Sequence, residues 1–280
     1  VPNVGKVRVP IIVVEFADKK VSNPIDAFSN HYNQGANSAR QYFIDQSNGK
    51  FEPQFDVFGV YELSENREAY GGNNLNGSDK GVAKMVAEAC DLTKQNSDIN
   101  WANYDNNGDG ICDVVMVVFA GVGEAQAAAT VPNAIWPCQW TLADAAAMGD
   151  GPGMKDYDGI TVHKFAVFNE VQWRFDTNTL LDGIATFCHE FSHCLGLPDF
   201  YMTTYGAEYG MGTWSLMDYG CYNNNGNTPV GYNAYEKSFF GWIELVTPQP
   251  DTEYRLPVFN GKTITSDWAM KVESPLNANE

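Results

Sequence analysis

Sorted into hydrophobic and polar positions, the chain shows two short, largely apolar runs, at residues 8–16 and 113–120, both rich in Val. Runs of this length bounded by polar residues read as strands buried on both faces. Pro10 marks an irregularity at the start of the first. A further strand is predicted over residues 51–61, entered through the turn at Asn48-Gly49, and another over the alternating stretch 160–168. Helical spacing covers residues 38–46. It returns from a cap at Asp79 to about residue 94, where Val82, Met85, Val86 and Cys90 share one face. A third helix is predicted over 182–195, capped by Asp182. A fourth spans 229–240, with Pro229 in its first turn and Gly241 as its stop. Residues 71–77 read as a polar loop, and residues 121–158 as long loops with a short strand near Ile135. The order predicts a mixed α/β (α+β) fold: a mixed sheet backed by helices, with one helix at a cleft between subdomains 1–196 and 197–280.

Composition narrows the partners. The chain has 280 residues, 44% hydrophobic and 19% charged, a globular balance with a net charge of −18. Such acidity repels phosphate backbones and anionic lipid, so neither nucleic acid nor a membrane surface is an expected partner. No apolar run approaches the ~18 residues needed to span a bilayer. The chain opens at Val1 and enters a strand pattern at once, and residues 272–280 read as a strand running into a polar loop. A signal peptide or pro-segment is expected before it and more chain after it. Six cysteines permit 15 pairings. Cys188 and Cys194, on one helix, lie roughly 9 Å apart, beyond disulfide reach, and are expected as buried thiols.

The chemistry concentrates at His189-Glu190-Phe191-Ser192-His193. On a helix, the two histidines four residues apart project from one face and suit two ligands of one zinc ion. Glu190 lies beside that face, where it can take a proton from a zinc-bound water whose pKa is lowered to about 7. Gly196 follows as a helix stop and Pro198 prevents resumption, so the chain reverses and returns Asp199 as third ligand. H-E-x-x-H alone arises by chance in on the order of 1% of chains this long, and Gly196 with Asp199 lowers that a few hundred-fold. A second ligand set stays open, with Glu236 on the fourth helix as the third ligand in a thermolysin-like arrangement. The remaining histidines, His31 and His163, stand in no ligand spacing and are expected to be surface or structural.

Downstream, Gly210-Met211-Gly212-Thr213-Trp214-Ser215-Leu216-Met217-Asp218-Tyr219-Gly220 is a glycine-flanked bend. Met217 is placed as the floor beneath the ligands, the Met-turn of metzincins. Tyr219, two residues on, is a candidate to stabilise the oxyanion, or else a wall of the cleft. Asp105-Asn106-Asn107-Gly108-Asp109-Gly110-Ile111-Cys112-Asp113 follows the start of a calcium loop. Asp105, Asn107, Asp109 and Asp113 would supply side-chain oxygens, Ile111 its carbonyl, and Gly110 the turn. Met116 stands where such a loop ends in a bidentate Glu. The other reading is an Asx-rich turn.

Four segments, YFIDQSNGKF from Tyr42, YDNNGDGICD from Tyr104, TFCHEFSHCLGLPDF from Thr186 and WSLMDYG from Trp214, give a combined resemblance to the immune inhibitor A family of secreted bacterial metallopeptidases, within the metzincin group. The resemblance implies a metzincin-like fold and a secreted zinc endopeptidase made with a pro-segment. It supports His189, His193 and Asp199 as ligands, Glu190 as base, and structural calcium in the loop. The expected partner is a protein or peptide substrate, handled by a monomer. The alternative is a module that binds peptides or proteins on the same fold without activity.

Overall fold

The computed structural model describes residues 1–75, 77–172, 177, 179–203, 210–256, 259 and 267–274. Its elements run β1 (Gly5–Glu15), α1 (Ile25–Asn33), α2 (Ala39–Gln46), β2 (Phe51–Glu62), α3 (Glu68–Gly71), α4 (Val82–Asn96), β3 (Ile111–Cys112), β4 (Val115–Phe119) and α5 (Glu124–Ala127). Then follow β5 (Cys138–Thr141), α6 (Leu142–Ala147), β6 (Lys155–Tyr157), β7 (Ile160–Val162), β8 (Lys164–Asn169), α7 (Ile184–Cys194), α8 (Ala234–Phe239), β9 (Glu244–Val246) and β10 (Trp268–Met270). This is the mixed sheet backed by helices that the patterning predicts.

The main sheet has the order β2-β1-β4-β8-β5, with every pairing parallel except that of edge strand β5 with β8. Successive residues of its inner strands point to opposite faces and build two cores. Val9, Ile11, Val13, Met116, Val118 and Phe168 meet α1, α2 and α7 on one face. Ile12, Val14, Val115, Val117, Phe119 and Val167 meet α4 and α6 on the other. The first core continues past position 196 to Leu216, Met217, Tyr232, Phe240 and Trp242. Phe187 and Phe191, one turn apart on α7, seat that helix on the sheet, their rings 4.9 Å from Phe55 and 5.2 Å from Phe43 respectively. The opposite face of α7 is thereby turned to the cleft.

Several local expectations are corrected. Pro10 lies inside β1, one residue before pairing with β4 begins, and the irregularity falls instead between Val13 and Val14. The strand expected near Ile135 is β5, three residues later. The stretch 160–168 is two strands, β7 and β8, which join different sheets on either side of His163. Helix α8 begins at Ala234 under an Asn233 capping box with Glu236, which leaves Pro229 outside it. The terminal strand is β10, before Val272, and residues 275–280 lie outside the described residues. All six cysteines are free thiols, five of them buried.

Two caps also come from elsewhere. Gly183, not Asp182, is the N-cap of α7. The Ala185 N–H is satisfied by the carbonyl of Gly226 at 3.0 Å, and a Cβ on Gly183 would stand 2.0 Å from that same oxygen. Gly81 occupies the N-cap of α4, while the Asp150 carboxylate accepts the N–H groups of Ala83 and Lys84 at 2.8 and 3.1 Å. Asp79 instead accepts the N–H of Trp136 at 2.8 Å. Because the Asp150 carboxylate satisfies two orphan donors at a helix N-terminus, Asp150→Ala should cost about 1–2 kcal/mol. Urea unfolding checks this, and an unchanged midpoint would return the cap to another group.

Candidate metal centre

Helix α7 ends in a Schellman motif. The Gly196 N–H donates to the His193 carbonyl at 3.0 Å and the Leu197 N–H to the Ser192 carbonyl at 3.1 Å. Gly196 takes the left-handed conformation, φ +110°, that this reversal requires. The chain turns back and Asp199 arrives against the two histidines. His189 Nε2 and His193 Nε2 are 3.2 Å apart, and Asp199 Oδ1 lies 3.4 and 3.3 Å from them. A tetrahedral ion bonded at about 2.0–2.1 Å holds its ligands about 3.3–3.4 Å apart, so the triangle has the dimensions of one face of a zinc site.

The donors are also aimed. His189 Nδ1 donates to the Leu216 carbonyl and His193 Nδ1 to the Leu197 carbonyl, both at 2.8 Å. A carbonyl only accepts, so in the neutral rings each proton sits on Nδ1 and each Nε2 carries a lone pair. Asp199 Oδ1 is buried with no hydrogen-bond partner. Three electron-pair donors therefore converge on one point, and two imidazoles with one carboxylate fit a zinc ion. Among the described residues this is the one group of three His, Cys, Asp or Glu donors able to hold a metal. Glu236, the other candidate ligand, is fully buried and holds the α8 capping box.

Titration follows the same geometry. Burial opposes charge on His189 and His193, but the Asp199 and Glu190 carboxylates outweigh it and hold both rings above the ordinary histidine value. Burial raises Asp199, and the two imidazoles reverse that, holding its carboxyl well below the usual range. Burial raises Glu190, with His189 and His193 pulling the other way. A buried carboxylate with a raised pKa beside a metal triangle is suited to taking up and releasing a proton.

The bend at 215–218 braces the site from below. Leu216 orients His189, and the Met217 carbonyl accepts the N–H of Phe200, the neighbour of Asp199, at 2.8 Å. Met217 itself is fully buried. The site opens on a cleft of about 1250 Å³ whose lining includes Glu190, Cys138, Gln139, Tyr201, Tyr219 and Tyr222. Tyr219 stands on the wall, 65% exposed. Burial and the charges of Asp199 and Glu190 push the Tyr201 phenol well above its usual value. Burial, Cys221 and Glu190 do the same for Tyr222. Neither tyrosine was singled out by the sequence, although Tyr201 lies only two residues past Asp199. Cys138 and Gln139 reach the cleft on edge strand β5, which the sequence placed elsewhere. His31 is half-buried against Tyr32, its ring lowered in pKa by burial.

The acidic loop is a closed turn. Asp105 accepts the N–H groups of Gly108, Asp109 and Gly110 at 2.8–3.0 Å. Asp109 accepts the Ile111 N–H at 2.9 Å and the Asn107 side chain at 2.8 Å. Asp113 accepts Asn106 through backbone and side chain at 3.0 and 2.8 Å. Its three carboxylates do not gather into one donor group like that of the histidines.

A mixed sheet whose helix carries two histidine donors and a buried glutamate, with a carboxylate donor returned after a helix stop, defines a metalloprotease-like fold. The catalytic-domain model of the immune inhibitor A peptidase M6 family matches residues 14–243, and the chain belongs to that family. It is 30% identical over 222 residues to a pre-pro-metalloprotease, PrtV, of Vibrio cholerae serotype O1, covering 72% of this chain and 23% of the relative. It is 27% identical over 295 residues to an immune inhibitor A of Bacillus thuringiensis subsp. alesti, covering 87% and 42%. A putative secreted metallopeptidase of Arthroderma benhamiae is 24% identical over 246 residues, covering 80% and 33%. The chain thus spans less than half the length of these curated relatives.

A metal held by His189 and His193 would compete with protons for the same imidazoles. With both pKa values raised, protonation of the metal-free site begins above the ordinary histidine value of about 6.5. In metal-free protein the histidine contribution to stability is present at low pH and is lost as pH rises through the raised pKa values. Metal stabilisation grows over the same interval as the protons leave. The melting-temperature difference between zinc-loaded and chelator-treated protein should therefore widen from about pH 5 to about pH 8. Calorimetry at matched pH reads this, and a constant difference would remove the histidines from the metal site.

Proposed function

We propose that this domain is a zinc-dependent endopeptidase that cleaves protein or peptide chains outside the cell as a monomer. The observation that carries the reading is the triangle of His189, His193 and Asp199 with the buried Glu190 at its side. The cleft volume of about 1250 Å³ exceeds the roughly 300–1,000 Å³ usual for small-molecule pockets, which favours a polymeric substrate. The net charge of −18, and the secreted description of one relative, support an extracellular setting. No described helix is long and apolar enough to cross a membrane.

His189, His193 and Asp199 would hold the zinc, which when bound supplies Lewis-acid polarisation of a peptide carbonyl and acidifies water. Glu190 removes the proton from the attacking water and delivers it to the leaving amine nitrogen. Its burial keeps the carboxylate basic enough for the first step and its conjugate acid strong enough for the second. Tyr219, on the cleft wall, donates its hydroxyl to the oxygen that becomes anionic in the transition state. Helix α7 and the bend at 215–218 supply rigidity, so little reorganisation is needed when the substrate arrives.

Glu190→Gln separates binding from chemistry. The variant should keep the fold and one equivalent of zinc, while casein cleavage falls at least ~100-fold. Retained cleavage would remove Glu190 from the mechanism. A wild-type protein that binds casein without cutting it would mark a binding module instead.

Calcium at residues 105–113 is a separate part of the proposal, supported by the spacing of Asp105, Asn107, Asp109 and Asp113, with the Ile111 carbonyl, and by Gly110 at φ +83° on the turn. Asp105 Oδ1 and Asp113 Oδ2 each accept two hydrogen bonds, but the second oxygen of each carboxylate, and both oxygens of Asp109, keep lone pairs that these bonds do not use. Calcium should raise the melting temperature of the wild type and do much less for Asp109→Ala, with zinc content equal in both. An unmoved wild-type melting temperature would leave the loop as an Asx turn.

A further inference from the structure

Glu236 and Ser215 are fully buried and lie outside the metal triangle, yet they connect to it. Ser215 Oγ donates to Glu236 Oε1 at 3.3 Å. The same Oγ accepts the N–H of Met217 at 3.1 Å. A carboxylate accepts only, so Glu236 fixes the direction of the serine proton and leaves the serine lone pairs to the Met217 N–H. On its other side, Glu236 Oε2 accepts the N–H of Asn233 at 2.6 Å, and the Glu236 N–H returns to Asn233 Oδ1 at 3.0 Å. The carboxylate thus bridges the first turn of α8 and the bend at 215–218.

That bend touches two of the three metal donors. Leu216 gives its carbonyl to His189 Nδ1, and Met217 gives its carbonyl to the N–H beside Asp199. Turning the bend by a few tenths of an ångström would rotate the His189 ring and shift Asp199 together. The bend has further bonds of its own, from the N–H groups of Asp218 and Gly220 to the Ser215 carbonyl at 3.3 and 2.9 Å. Those bonds close it on itself and do not anchor it to another element. Glu236 supplies a buried side-chain anchor from a separate helix, whose following residues Phe240 and Trp242 are embedded in the main core.

We infer that Glu236, acting through Ser215, is a positioning residue for the metal ligands: it locks the bend that orients His189 and Asp199. This inference rests on the metal-centre reading above. It also gives a buried acidic group a role other than coordination. Burying a carboxylate costs free energy, and two hydrogen bonds to charged oxygens offset that cost while fixing one geometry.

Three variants test it, with zinc affinity measured by chelator competition and ligand geometry by the visible absorption of the cobalt-substituted protein. Ser215→Ala leaves the capping box and cuts the link. Glu236→Gln keeps the size and removes one acceptor oxygen. Asn233→Ala removes the side-chain half of the capping box and leaves the link in place. Ser215→Ala and Glu236→Gln should each weaken zinc binding about 10–100-fold, the usual effect of losing an outer hydrogen-bond partner of a metal ligand, and should change the cobalt spectrum. Asn233→Ala should lower the melting temperature while zinc affinity stays within twofold. If Glu236→Gln does not fold, Ser215→Ala decides alone. A loss smaller than about tenfold in Ser215→Ala, or an equal loss in Asn233→Ala, overturns the positioning role. A wild-type protein that binds no zinc overturns the metal-centre reading, and this inference with it.

Discussion

Holding three electron-pair donors within about 3.4 Å of one another costs free energy unless a cation between them or a proton on one of them offsets the repulsion. His189, His193 and Asp199 meet this condition, and much of the surrounding structure holds them against that repulsion. Two carbonyls fix the imidazole tautomers, a Schellman turn returns the carboxylate, and the bend beneath binds both sides. In the metal-free protein the cost appears as shifted titration, with the histidines raised and the aspartate lowered. A metal bound there would remove the cost by taking all three lone pairs.

The sheet makes this possible at a distance. Parallel inner strands with apolar residues on both faces give α7 a rigid bed, and Phe187 and Phe191 fix its rotation. Once those two rings are buried, the positions of His189 and His193 follow from helical spacing alone. The antiparallel edge strand β5 then walls one side of the cleft with Cys138 and Gln139. Membership of the immune inhibitor A peptidase M6 family agrees with this geometry, which does not depend on the comparison.

How much the sequence disclosed depended on how local each cause was. The histidines, Glu190, Gly196 and Asp199 lie within eleven residues, and their relation is set by one helix and its stop, so spacing sufficed. The inner strands were legible because burial on both faces leaves a continuous apolar run. Local sequence misleads on caps where a distant group satisfies the helix, as Asp150 does for α4 and Gly226 for α7. Edge strand β5 escapes the pattern because Cys138-Gln139-Trp140-Thr141 is only half-buried and its apolar alternation is just four residues long. The stretch 160–168 forms strands, but burial does not alternate along it, since β8 is buried on both faces from Phe165, and nothing local shows that the pairing partner changes at His163. A helical acid downstream of such a motif is a reasonable third donor, so the sequence alone leaves Glu236 open as a ligand. Only the packed structure shows its carboxylate turned to Asn233 and Ser215.

The central claim is that His189, His193 and Asp199 together form the metal cage. Anomalous diffraction at the zinc edge, from crystals of zinc-loaded protein, tests it most directly. The account expects a single strong peak within bonding distance, about 2.0–2.2 Å, of His189 Nε2, His193 Nε2 and Asp199 Oδ1, with no fourth side chain attached. A peak bonded to Glu236 or to a cysteine sulfur, or one that leaves Asp199 uncoordinated, would contradict it.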